Sequence, residues 1–165
     1  MRFYVSDNHF GHFRIIQYCK RPYETAEQMD ADMIAKWNAV VTNDDEVWHL
    51  GDFAMSYDHA KTIVPQLNGR KILILGNHDK SSQQMREIGF AEAHQSWKLK
   101  IGFKSVTLMH RPRPLTGYDA GKWLLHGHVH NHEPKVDLEN KRINLSVEWW
   151  NYSPVPEIEI AKIIR

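Results

Sequence analysis

The chain has 165 residues, a formal net charge of +1 at pH 7 and a single cysteine, Cys19. This length fits one domain over residues 1–165, able to bury roughly 68–70% of its unfolded surface without staples. The charge is spread along the chain with no strong basic signature for nucleic acid or an anionic membrane, and one cysteine excludes an internal disulfide framework and suits a reducing compartment. Phe3-Tyr4-Val5 is too short for a secretory signal core and no apolar run approaches membrane-spanning length, so a cytoplasmic protein with no membrane partner is expected. The compositional anomaly is histidine, at 11 residues.

Phe3 to Val5 reads as a first core strand, ending in Ser6-Asp7-Asn8-His9. A brief helix around Phe13, Ile16 and Tyr18 closes at Arg21-Pro22. Thr25-Ala-Glu-Gln has the form of a capping box, and Met29, Met33, Trp37, Val40 and Val41 recur at helical spacing, which predicts a helix over about 25–42. Glu46 to Leu50 reads as a strand ending in Gly51-Asp52. Ser56 caps a further helix carrying Ala60, Ile63, Val64 and Leu67, stopped by Asn68-Gly69. Lys71-Ile-Leu-Ile-Leu75 is too short for a helix and too uniformly apolar for a half-exposed strand, so it reads as a strand buried on both faces, with Gly76 permitting a sharp turn into Asn77-His78-Asp79. A short helix follows over Ser81 to Ile88.

From about residue 95 the pattern alternates. Trp97, Leu99 and Ile101 form one arm of a hairpin turning at Gly102-Phe103, and Lys104 to Met109 the other, ending at His110. Trp123-Leu-Leu125 is another strand, running into His126-Gly127-His128-Val129-His130. Lys135–Leu138 and Arg142–Val147 read as a second hairpin over Glu139-Asn140, and Pro156 opens a terminal helix through Ile164.

Five strand ends thus carry one kind of cargo: Asp7 and His9; Asp52; Asn77, His78 and Asp79; His110; His128 and His130. Singly, each is an ordinary turn or core histidine; jointly, chance requires five coincidences. Oxygen and nitrogen donors without thiolate suit divalent first-row metals such as Mn, Fe, Co, Ni or Zn rather than a structural zinc site. The donors are too many for one ion and enough for two that share a carboxylate.

The order Asp-x-His, Gly-Asp, Gly-Asn-His-Asp, a lone His after a strand and Gly-His-x-His resembles the calcineurin-like metallophosphoesterase superfamily, over Asp7 to His130. The stretches Ser6–His12, Arg21-Pro22-Tyr23 and Asn144–Glu148 resemble its small single-domain branch of bacteria and phages. The resemblance implies an α/β fold (α+β in some schemes), a four-layer sandwich of two mixed β-sheets flanked by helices. It implies two divalent ions, Mn²⁺ foremost, with Asp7, His9 and His130 on one, Asn77, His110 and His128 on the other, and Asp52 bridging them. His78 would face the substrate, with Asp79 oriented behind it. Arg111-Pro-Arg113-Pro114 departs from the family pattern after His110, on the substrate side.

The chemistry suits phosphoric esters. Two cations roughly 3.5–4 Å apart neutralise phosphoryl oxygens and acidify a bridging water. Asp52 would set their spacing, and Asn77 binds without adding negative charge. An imidazole such as His78 meets the leaving alkoxide as proton donor or electrostatic stabiliser; Asp79 either holds its tautomer or caps the helix that follows. His12, Arg111 and Arg113 are candidate substrate contacts, with solvated surface roles as the alternative. His49 and His126 sit close enough to the motifs to support them, whereas Trp149, Trp150 and Tyr152 read as packing beneath the terminal helix in preference to a platform for stacking a base. The expected substrate is a phosphorylated small molecule or nucleotide, nucleic acid included. The alternative function is a non-catalytic interaction module on the same fold. A P-loop at Gly117–Lys122 fails, one residue short and with Trp123 in the hydroxyl position.

Overall fold

The computed structural model describes residues 1–164. Strands β1 (Arg2–Val5), β2 (Glu46–His49), β3 (Arg70–Ile74) and β4 (Glu92–His94) run parallel in that order. A second sheet is built from β5 (Ser96–Ile101), β6 (Lys104–Met109), β7 (Trp123–His126), β8 (Val136–Asp137) and β9 (Arg142–Asn144), in the order β5-β6-β7-β9-β8. In it β6, β7 and β9 are parallel, with β5 and β8 antiparallel at the edges. The first sheet is completed by β10 (Val155–Pro156), antiparallel to β1. Two mixed five-stranded sheets flanked by helices make an α/β architecture, as expected.

The central strand β3 shows why a continuous apolar run was required. Leu73 enters the cluster formed with Met29, Met33 and Trp37, whereas Ile72 and Ile74 enter the cluster between the sheets, with Leu108, Leu125 and Ile143. Successive side chains of a strand point to opposite faces, so both must be apolar. The helices are α1 (Phe13–Tyr18), α2 (Ala26–Val40), α3 (Tyr57–Ile63), α4 (Ser82–Glu87) and α5 (Glu157–Ile163). The capping box forms with a one-residue offset. Thr25 Oγ1 accepts from Gln28 N at 3.1 Å, but the Gln28 side chain accepts from Glu24 N at 2.9 Å. Among the described residues no helix is long and apolar enough to cross a membrane.

Three expectations shift, and two edge strands were not foreseen. The helix begun at Ser56 ends at Ile63, because Pro65 has no N–H for the helical ladder and the chain tightens into a 3-10 turn over Val64–Gln66. Edge strands β4 and β10, of three and two residues, are too short to show a period in sequence. The strand expected over 142–147 stops at Asn144, and Val147 begins a 3-10 turn. Tyr152 packs not under the terminal helix but against Tyr23, with ring centroids 5.2 Å apart. A parallel bridge between Ser6 and Ser146 joins the ends of the two sheets. The carboxyl ends of β1, β2 and β3 therefore meet those of β6 and β7 on one side of the molecule.

Candidate metal centre

All seven candidate metal-binding residues gather there. Ligand atoms of Asp7, His9 and His130 lie within 4.8 Å of one another, as do those of Asp52, His110 and His128. His9 Nε2 is 3.9 Å from Asp7 Oδ1 and 3.5 Å from Asp52 Oδ2. On the other side His110 Nε2 is 3.3 Å from Asp52 Oδ2 and 3.2 Å from Asn77 Oδ1. Asp52 lies between the two groups, and His78 reaches only to 4.0 Å from it, with a side chain 41% exposed where that of His9 is 3% exposed. His78 also forms a metal-capable group with His9 and Asp52, so its exposure is what separates it from the buried donors.

The backbone makes this gathering possible. Asp7, His9, Asp52, His128 and His130 all have positive φ, between 49° and 74°, a region uncommon for residues with a Cβ. Holding such residues costs of order 1–3 kcal/mol each and persists where the surroundings enforce it. Here the turns after β1 and β7 each bring two side chains to the centre, and the turn after β2 brings Asp52. Gly76 is needed for a different reason from the one expected. Its φ is not left-handed; instead an added Cβ would overlap the Asp52 carboxylate and backbone nitrogen. At Gly127 a Cβ would overlap Ser6 and the Asp7 carboxylate.

Donor chemistry tests the fit to metal. Both ring nitrogens of His9 are buried without a hydrogen-bond partner, an unusual state for a polar group, and burial holds this imidazole neutral, well below its usual range, despite nearby Asp52. Burial likewise lowers His128. His110 donates Nδ1–H to Leu50 O at 2.8 Å, which turns Nε2 toward Asp52 and Asn77. Burial pushes the Asp52 carboxyl up, but the hydrogen bond and charge of His110, with His9 and the His78 N–H, outweigh it and hold Asp52 ionised. The same pairing raises His110 against the opposing effect of burial. Burial also opposes protonation of His130, but its pairing with Glu148 and nearby Asp7 outweigh it and raise the ring to about 10. Imidazoles held neutral at His9 and His128, beside His110 and His130 that carboxylates draw toward the protonated form, make a nitrogen and oxygen donor set that a divalent cation suits by replacing those protons.

Asp79 does something other than orient the His78 ring or cap a helix. Its carboxylate accepts from Asp52 N at 2.9 Å, Phe53 N at 3.0 Å and Gly76 N at 2.8 Å, and the cap of α4 is Ser81. It ties the ends of β2 and β3 together. His12 caps α1 by accepting from Ile15 N at 2.9 Å, with its ring 5.5 Å from that of His9 and 6.3 Å from that of His78. Arg111 and Arg113 line a cavity of about 460 Å³ together with Asn77, His110, Leu75 and Met109.

With this geometry in place, similarity adds a lineage. The chain is 38% identical over 168 residues, covering 98% of itself and 89% of its partner, to the uncharacterized protein MJ1445 of Methanocaldococcus jannaschii. The chain belongs to the MJ1445 family. The Gene 66 protein of Mycobacterium phage L5 is 28% identical over 181 residues, 89% of this chain and 86% of the phage protein. The crystal structure of AQ665 from Aquifex aeolicus, a protein of unknown function, matches with a TM-score of 0.78 at 27% identity, over 99% of both chains. No family model matches. The AQ665 fold thus matches this one nearly end to end.

Of the supporting residues, His49 was expected from the sequence, whereas the roles of Ser146, Arg21 and Glu148 escaped sequence reasoning. His49 is fully buried; Gly51 N donates to its Nδ1 at 3.2 Å and its Nε2 donates to Asn8 Oδ1 at 3.0 Å, joining the turns that carry Asp52 and His9. Ser146 Oγ donates to Asp7 Oδ2 at 2.9 Å. Arg21 donates to the carbonyls of Asp7 and Asn8, both at 2.7 Å, and to Glu148. Cys19, His130 and Glu148 also lie close enough to form a metal-capable group, in which Arg21 and the His130 ring both bond Glu148 Oε1 and leave Oε2 unpartnered. The available signal was the alternation of Asn144, Ser146 and Glu148 from the last residue of a strand onward.

Proposed function

We propose that this protein is a metal-dependent phosphoric ester hydrolase with a dinuclear centre, acting on a phosphodiester or phosphomonoester of a nucleotide-like molecule, in the calcineurin-like manner its motifs resemble. The observation that carries this reading is His9, buried with two unpartnered ring nitrogens between the carboxylates of Asp7 and Asp52. Asp7, His9 and His130 would hold one ion, Asn77, His110 and His128 the other, with Asp52 shared. When bound, such ions offset phosphoryl charge and acidify water; Mn²⁺ is the first candidate. His78, the exposed imidazole beside Asp52, would meet the leaving oxygen, by a proton or by charge. His78 N donates to Asp52 Oδ1 at 2.9 Å, so the backbone that carries the imidazole is anchored to the shared carboxylate. The cavity beside Asn77, lined by Leu75 and Met109 as well as Arg111 and Arg113, suits a leaving group with an apolar body and an anionic end.

The test is turnover of an aryl phosphodiester and an aryl phosphomonoester by metal-stripped and Mn²⁺-loaded protein. Metal-dependent hydrolysis of at least one is expected, and His78→Ala should keep both ions while losing about 10²–10⁴-fold in rate. A loaded protein inert to both esters would contradict the proposal.

A further inference from the structure

The two halves of the centre are supported unequally. His130 donates Nδ1–H to Glu148 Oε1 at 3.0 Å, and Arg21 donates to the same oxygen from Nε at 3.0 Å and Nη2 at 2.7 Å. The Arg21 side chain is 0% exposed and that of Glu148 3%, while Glu148 Oε2 is buried without a partner. The His130 backbone is gripped from the same segment: its carbonyl accepts from Asn144 Nδ2 at 2.7 Å and Trp149 Nε1 at 3.2 Å. On the other half, His110 donates to the neutral Leu50 carbonyl. Among the described residues no carboxylate hydrogen-bonds the rings of His110 or His128 through the nitrogen facing away from the centre.

A buried ion pair is seldom the most stable way to fill a core, so its position here calls for another account. A carboxylate behind a ligating histidine fixes its tautomer and ring and strengthens it as a donor. We infer that Glu148, braced by Arg21, is a positioning residue acting through His130 on the Asp7–His9–His130 half of the centre alone, making that half the tighter of two inequivalent metal sites. Arg21 contributes twice, since the guanidinium that fixes Glu148 also holds the carbonyls of Asp7 and Asn8. One side chain therefore sets both the His130 ring and the turn presenting Asp7 and His9.

This inference rests on reading the site as a metal centre, and its test separates the two. Metal-free full-length protein, wild type and Glu148→Gln and Glu148→Ala variants, is titrated with Mn²⁺ by calorimetry and by loss of the free-ion paramagnetic signal, with thermal melting alongside. Wild type should bind two ions of different affinity. Glu148→Ala should weaken the tighter ion about 10–100-fold and leave the other within about threefold. Glu148→Gln, whose amide oxygen still accepts from Nδ1–H, should recover part of the loss. Equal weakening of both ions with a lowered melting temperature, or no change in either, overturns the role of Glu148 and leaves the metal centre standing. Wild type that binds no ion overturns both. Should Glu148→Ala not fold, Glu148→Gln alone decides, since unchanged affinities overturn the inference and one weakened ion supports it.

Discussion

At the amino ends of β1 to β4, Arg2, Glu46, Arg70 and Glu92 alternate in sign and pair along the row: Arg70 Nη1 lies 3.1 Å from Glu46 Oε2, Arg70 also pairs with Glu92, and Arg2 Nε lies 3.6 Å from Glu46 Oε1. At the carboxyl ends of β1 to β3, Asp7, His9, Asp52 and Asn77 stand at the end of the same sheet, yet Asp7, His9 and Asp52 are buried in left-handed backbone and His9 has no partner. The first row satisfies itself in water. The second is held short of self-satisfaction, at a cost in strain and desolvation, by neighbours that include Asp79, His49 and Arg21. That contrast is the mark of a site shaped for something the chain does not itself supply, in keeping with ligands lying beyond the carboxyl ends of open α/β sheets.

The comparison can be broken at either end. Asp52→Asn, at the point shared by both groups, should release both ions together and lower kcat/KM by on the order of 10³-fold, read by metal analysis and ester turnover; loss of one ion only would remove Asp52 from the bridging position. Acid should act next. Burial, with His110 close by, holds His49 down at about 3. Above pH 6.5 the ring is neutral folded and unfolded, whereas below it the unfolded imidazole takes a proton that the folded one refuses. Stability should therefore fall between about pH 6.5 and 3, by on the order of 4 kcal/mol, as denaturant midpoints across pH would record. His49→Gln, which keeps one donor and one acceptor, should flatten that slope. Gly76→Ala, forcing a Cβ onto Asp52, should cost about 3 kcal/mol and weaken metal binding with it. Glu46→Gln, in the exposed row, should cost less than about 1 kcal/mol and leave metal affinity untouched.

How much could be read beforehand follows the same division. Strands such as Ile72 to Ile74 announce themselves because burial on both faces demands an unbroken apolar run, and the polar cargo after each strand marks where chemistry gathers. The turns were not legible. Nothing in Ser-Asp-Asn-His states that Asp7 and His9 will both be left-handed, because that conformation is imposed by distant partners such as Gly51, whose carbonyl accepts from Asp7 N. Asp79 lies next to His78 in sequence yet serves the backbone of Asp52 and Phe53, more than 25 residues away. Glu148, 18 residues beyond His130, reaches it only because β9 pairs with β7 and brings the two segments side by side. Spacing within a motif is sequence information, whereas support between motifs is created by the sheets.

The most direct test of the whole account is the number of divalent ions the metal-free chain takes up, followed with ester turnover through one Mn²⁺ titration. The account predicts two ions per chain, with hydrolysis appearing as the second site fills. A chain that binds no Mn²⁺, or binds it and never turns over a phosphoric ester, would contradict it.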